Sequence, residues 1–154
     1  MPSIGRGVHE LRFRDRAGIY RAVYFLEGSG VIHVIHAFKK KTQQTPKENI
    51  DLGKKTFEGG YVKKTSGAEL ASSFGISAAR GMEAVIKAQL ITAVSRAAAK
   101  EGLTHAELAA RSGLPRSAVT GILSGSLQKV TLDRILRLVE AVDLVAEVRI
   151  RKAT

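Results

Sequence analysis

At 154 residues and 44% hydrophobic content, the chain is long enough for one ordinary domain or two small ones. Its net charge of +11 favours polyanionic partners, nucleic acid before membrane. There is no cysteine, which excludes disulfides and thiolate metal sites, and the 4 histidines lack ligand spacing, so neither metal nor other cofactor is expected. The opening MPSIGRGVHELRFR is broken by charge before any apolar run, and no stretch has the length of a membrane span. These features predict a cytoplasmic protein without membrane contact.

The first half has the alternation of strands. Val8 to Arg14 sets Leu11 and Phe13 against Glu10, Arg12 and Arg14. Ile19 to Leu26 is rich in β-branched and aromatic residues, and Val31 to Phe38 alternates again. Turn-like breaks at 15–18 and 27–30 separate them, which predicts a three-stranded antiparallel meander. Thr45-Pro46-Lys47-Glu48 then has the pattern of a helix start: a threonine cap, proline at the first helical position and glutamate three residues after the cap. Ile50 and Phe57 would seat that helix on the sheet, and Gly59-Gly60 would end it.

Residues 61–76 have the composition of a linker between a region at 1–60 and a domain at 77–154. From Ala78 to Lys100, Met82, Val85, Ile86, Leu90, Ala93, Val94 and Ala97 form a helical stripe, stopped by Gly102. Thr104 and Glu107 form a second capping box, opening a short helix to Ser112. Another helix runs from Pro115 to Ser124 and a fourth from Thr131 to Val142. Leu144 to Arg151 alternates Leu144, Ala146, Val148 and Ile150 with Glu147, Arg149 and Arg151, the pattern of a strand. The expected class is α+β: a small three-stranded antiparallel sheet with one helix, then an all-α domain ending in a C-terminal strand.

The most informative stretch is LTHAELAARSGLPRSAVTGILSG, residues 103–125. Small Ala109 allows close helix approach, and Gly113 tolerates the left-handed backbone of a sharp turn. Val119, Ile122 and Leu123 would face inward, leaving Arg116, Ser117, Thr120 and Gly121 outward. This stretch resembles the helix-turn-helix domains of the Xre and phage-repressor family. The resemblance implies that Arg116, Ser117, Thr120 and Gly121 reach base edges in the major groove. Arg116 would donate twice to guanine, and the Thr120 methyl would touch a thymine methyl. It also implies phosphate contacts at Thr104 and His105, at the start of the preceding helix, and at Ser126 and Lys129 after the recognition helix.

The first half carries a second resemblance. Tyr20-Arg21 with Tyr24 on one strand, and HAFKKKTQQTP from His36 to Pro46, resemble the C-terminal part of RelE/HigB-type toxins of the phage-derived host-inhibition branch, over about residues 3–57. Those toxins are small ribonucleases acting on messenger RNA, usually at the ribosome. The resemblance implies phosphate binding by Arg21 and Lys40, with His36 as acid or base and Lys39 and Lys41 facing the RNA backbone. It also implies that a helical region and a first strand are missing ahead of this segment. The expectation is therefore a truncated toxin that no longer cleaves RNA and that borrows a strand, from a second copy or from Leu144–Arg151. The second half resembles a HigA-type antitoxin.

Three readings follow. The first is a sequence-specific regulator of antitoxin type, bound as a homodimer to a palindromic double-stranded DNA operator. The second is a residual ribosome-dependent mRNA endoribonuclease held in check by its own antitoxin half. The third is an interaction module that binds a toxin.

Overall fold

Alternation of apolar and polar residues in the first 40 positions produces strands with two different faces, and both faces are buried. The computed structural model describes residues 3–5, 7–15, 18–26, 32–40, 46–60, 63–126, 130–150 and 152. Strands β1 (Val8–Asp15), β2 (Gly18–Leu26) and β3 (Ile32–Lys40) form the expected antiparallel meander. A two-residue strand β4 (Lys63–Lys64) extends the sheet along β3, an addition that a lysine pair does not advertise. The β2–β3 register shifts at Val23/Tyr24: Tyr24 pairs with Val34 and Val23 with His36, so Ile35 is the inserted residue of a β-bulge.

One face of the sheet, with Val8, Val23 and Ile35, packs against helix α1 (Lys47–Glu58) through Ile50 and Phe57. The structure begins α1 one residue later than expected. Pro46 occupies the N-cap without a side-chain hydrogen bond, while Thr45 lies outside the described residues. The opposite face, with Leu11, Tyr20, Ala22, Tyr24 and Ile32, packs against Leu70 and Phe74 of α2 (Gly67–Phe74) and against Ala84, Ala88, Ile91 and Val94 of α3 (Ala78–Glu101). This face of the sheet is thus covered by helices of the same chain.

Helix α2 lies within the stretch expected to be a linker. Its start is defined by a capping box: Ser66 Oγ accepts from the Glu69 amide at 3.2 Å, and Glu69 Oε2 accepts from the Ser66 amide at 2.8 Å. Short polar caps around few apolar residues read as loop, yet Leu70, Ala71 and Phe74 are buried. Helices α2 and α3 meet glycine against glycine, since a Cβ on Gly81 would sit 2.0 Å from the Gly67 carbonyl oxygen.

The inward stripe of α3 also differs from the expected one. Ala84, Ala88, Ile91, Val94 and Ala98 are buried, whereas Met82 and Ile86 are exposed. Helix α3 is surrounded on several sides, by α2, the sheet, α5 (Arg116–Leu123) and α6 (Leu132–Glu140), so small alanines at the close contacts matter more than large side chains. Two polar side chains are buried with it. Thr92 donates to the Ala88 carbonyl and receives the Tyr24 hydroxyl at 3.4 Å. Lys87 donates to the Val130 carbonyl at 2.5 Å and pairs with Glu83 at 2.6 Å, fastening α3 to the entry of α6.

The same apolar core continues through Leu108 of α4 (His105–Ser112), Val119 and Ile122 of α5, and Ile135 and Leu138 of α6. Sheet and helix-turn-helix therefore share one core. Residues 144–150 form no ladder with another strand among the described residues. Alternation makes a segment ready to be a strand, but hydrogen bonding to a neighbouring edge is what completes one. No helix among the described residues is long and apolar enough to cross a membrane.

Candidate nucleic-acid interface

Helices α4 and α5 are joined by a turn that needs a left-handed residue, and Gly113 supplies it at φ 66°. Leu108 and Val119 are fully buried where the helices cross, and Leu114 closes the turn. With Val119 and Ile122 inward, helical periodicity turns the next positions out. Arg116, Ser117 and Thr120 are exposed, all on the first half or middle of α5. Gly121 is half-buried, and a Cβ there would meet nothing within 4 Å. The outward set expected from sequence is therefore brought together on one short helix.

The phosphate candidates are placed less uniformly. Thr104 is the N-cap of α4, accepting from the Glu107 amide at 3.2 Å. Its own amide and hydroxyl both donate to Glu107 Oε2, each at 2.7 Å. The Glu107 carboxyl is held below its usual range, first by the Thr104 amide and then by the Thr104 hydroxyl. The anion preference of this helix start is thus already met by Glu107. His105 is exposed, and its Nδ1 lies 3.0 Å from Thr120 Oγ1. Ser126 is half-buried, and Lys129 lies outside the described residues.

Ser126 sits at a junction that no local pattern announces. The exit of α5 runs beside the edge strand β1, where the Arg12 amide donates to the Gly125 carbonyl at 3.0 Å and Arg12 bridges to Ser126 in parallel. Gly125 has φ 80°, and a Cβ there would lie 1.8 Å from the Glu10 carbonyl oxygen. Only glycine fits. Beside this contact lies a cleft of about 330 Å³, lined by His9, Glu10, Tyr24, Ile91, Leu123 and Ser124 among others. His9 stacks on Tyr24 with ring centres 5.6 Å apart, and burial first, then nearby positive charge including Arg96, lowers its pKa.

The residues expected to form a ribonuclease site are distributed as follows. Arg21 and His36 share a sheet face, since Arg21 pairs with Phe38 and Val23 with His36. Arg21 is buried, and its Nη1 donates to Glu10 Oε1 at 2.6 Å. The other Glu10 oxygen accepts from Arg12 Nη2 at 2.8 Å. His36 Nε2 lies 2.8 Å from Asn49 Oδ1 on α1, and its ring stacks on Phe38. Lys39 extends over the Tyr20 ring at 5.9 Å. Lys40 ends β3, its side chain outside the described residues together with Lys41. Glu10 is the partner that sequence reasoning missed. Its signal was parity: Glu10 pairs with Val23, which puts it on the Arg21 face.

Two family models match the chain. A family model described as a helix-turn-helix domain matches residues 71–151, and one described as a phage-derived Gp49-like protein matches residues 1–58. Neither a curated protein nor a solved structure matches the chain.

Proposed function

Because the chain belongs to the helix-turn-helix domain family over residues 71–151, we propose that it is a sequence-specific DNA-binding regulator of Xre/HigA antitoxin type. The observation that carries this reading is the outward display of Arg116, Ser117 and Thr120 on a helix whose Val119 and Ile122 are buried. Entering a major groove, Arg116 reads guanine through two donors, while Ser117 and Thr120 supply mixed donor and acceptor contacts. His105 and Ser126 flank the groove against the phosphates. Two copies on a palindrome repress transcription, and a cognate toxin is a further partner. The Gp49-like match over residues 1–58 supports a toxin–antitoxin setting.

The first half serves this activity as a brace. Its β1 edge holds the exit of the recognition helix, and Glu10 neutralises the arginine that a ribonuclease would aim at a scissile phosphate. Selection from random duplexes at two salt concentrations, followed by gel shifts with Arg116→Ala, tests the reading. An enriched palindrome is expected, with the variant losing roughly 1–3 kcal/mol at one base pair. Salt-sensitive binding without any preferred sequence sinks the regulator reading. Cleavage of messenger RNA by the intact chain, abolished by Arg21→Ala, would replace the brace with the ribonuclease.

A further inference from the structure

Three amides along the outer edge of β1 point away from β2. Arg12 donates to the Gly125 carbonyl at 3.0 Å, and Val8 donates to the Gly5 carbonyl at 3.3 Å. Val8, Glu10 and Arg12 lie opposite Phe25, Val23 and Arg21, alternate positions of one antiparallel ladder, so the Glu10 amide points the same way as the other two. Among the described residues no carbonyl accepts from it. It opens on the cleft of about 330 Å³ between β1, α3 and the exit of α5. A sheltered backbone N–H calls for an acceptor, and here a bound oxygen must supply it. The rest of the wall suits a flat apolar body: the His9 ring stacked on Tyr24, with buried Ile91 and half-buried Leu123, lines the same space. The volume lies at the small end of ligand pockets, which suits a metabolite rather than a lipid chain. The surrounding charge favours an anion. The Glu10 carboxylate is already engaged by Arg21 and Arg12, while burial first, and then positive charge including that of Arg96, lowers the pKa of His9.

We propose that this cleft binds a small aromatic carboxylate, one carboxylate oxygen accepting from the Glu10 amide and the ring lying against His9, Tyr24, Ile91 and Leu123. The occupant would also regulate the recognition helix. Leu123, Ser124 and Gly125 form the end and exit of α5, and they line the cleft opposite His9 and Glu10 of β1. A bound ring therefore bridges the joint that the Arg12–Gly125 hydrogen bond already closes. Ligand and DNA then favour the same braced placement of α5, and each strengthens the binding of the other. This regulatory consequence rests on the regulator reading; the site itself does not.

The test is a nuclear magnetic resonance titration of the full ¹⁵N-labelled chain with benzoate, indole-3-carboxylate and neutral benzyl alcohol. The two carboxylates should shift the amides of Glu10, Leu123, Ser124 and Gly125 to saturation. Benzyl alcohol, which brings no charged acceptor to the Glu10 amide, should bind about tenfold more weakly. Ser124 is exposed at the cleft, so Ser124→Trp should fill the space and abolish the shifts while leaving the melting temperature unchanged. In gel shifts on a selected duplex, saturating indole-3-carboxylate should tighten wild-type DNA binding about fivefold, and Ser124→Trp should not respond. The wild-type titration is decisive without any variant. Absence of saturable shifts overturns the proposal, as do shifts confined to the outer face of α5 around Arg116, or equal binding by benzyl alcohol. An unchanged affinity for the selected duplex overturns the regulatory coupling. Failure of the regulator reading looks different: the carboxylates still shift the Glu10 and Gly125 amides, which upholds the site, but no DNA sequence is selected with or without them.

Discussion

His105 at the start of α4 and Thr120 in the middle of α5 are joined side chain to side chain, with Nδ1 3.0 Å from Oγ1. The contact ties a residue expected to touch phosphate to one expected to touch a base. The imidazole limits the rotation of Thr120 and so decides which of its methyl and hydroxyl faces the groove. His105→Ala should leave the fold intact, because both residues are exposed. It should relax discrimination at the base pair facing Thr120 by roughly 1 kcal/mol, near the low end for one good base contact. A gel-shift panel of operators altered at single positions checks this. Equal weakening at every position would assign His105 to phosphate alone.

Gly121 and Gly125 should respond in opposite directions to alanine. At Gly121 a Cβ meets nothing within 4 Å, so Gly121→Ala should raise stability by up to about 1 kcal/mol from helix propensity. The added methyl would stand in the groove and weaken DNA binding. At Gly125 the left-handed backbone and the Glu10 carbonyl leave no room. Gly125→Ala should cost at least about 1–2 kcal/mol for the backbone alone, more once β1 is pushed away. For a chain of this size, each 1 kcal/mol corresponds to roughly 2–4 °C in melting temperature. Thermal melts of both variants check the opposite signs.

Removing Glu10 should be among the most damaging single changes in the sheet. Its carboxylate is buried between Arg21 and Arg12, and the Arg21 guanidinium is buried too. Glu10→Ala removes the buried carboxylate to which Arg21 donates, a loss of roughly 3–5 kcal/mol for a broken buried pair. Urea denaturation measures it. A loss under 1 kcal/mol would mean that water reaches Arg21 freely.

Two rings at the sheet–helix junction, Tyr24 buried and His9 half-buried, set limits in pH. Burial pushes the Tyr24 hydroxyl up to about 12, above its usual value of 10, the hydrogen bond with Thr92 acting the other way. Folded protein therefore holds the phenolic proton more tightly than unfolded chain. The stability is full below pH 10 and falls as pH rises toward 12, by up to about 3 kcal/mol for a shift of this size. Tyr24→Phe should remove that alkaline slope. His9 has the opposite sense: its pKa is lowered from 6.5, so the folded state prefers neutral imidazole. Its contribution is present above pH 6.5 and is lost as pH falls through the window below it. Denaturation midpoints from pH 5 to 12, with His9→Gln beside Tyr24→Phe, separate the two slopes.

Local patterns in the sequence determined the meander, the capped helices and the helix-turn-helix. Period-two alternation at 8–38, the Thr104–Glu107 box and Gly113 each act within a few residues, so their meaning survives without a fold. The outward set Arg116, Ser117 and Thr120 was legible for the same reason, since helix geometry fixes it once Val119 and Ile122 are inward. Only the tertiary structure decided how the halves meet. That α2 and α3 cover the sheet, that Glu10 neutralises Arg21, and that Gly125 lies against β1 are contacts between residues far apart in sequence. Such contacts depend on chain path and close approach. A short alanine stripe or a lone glycine does not announce its distant neighbour, because small side chains matter through what they let come near.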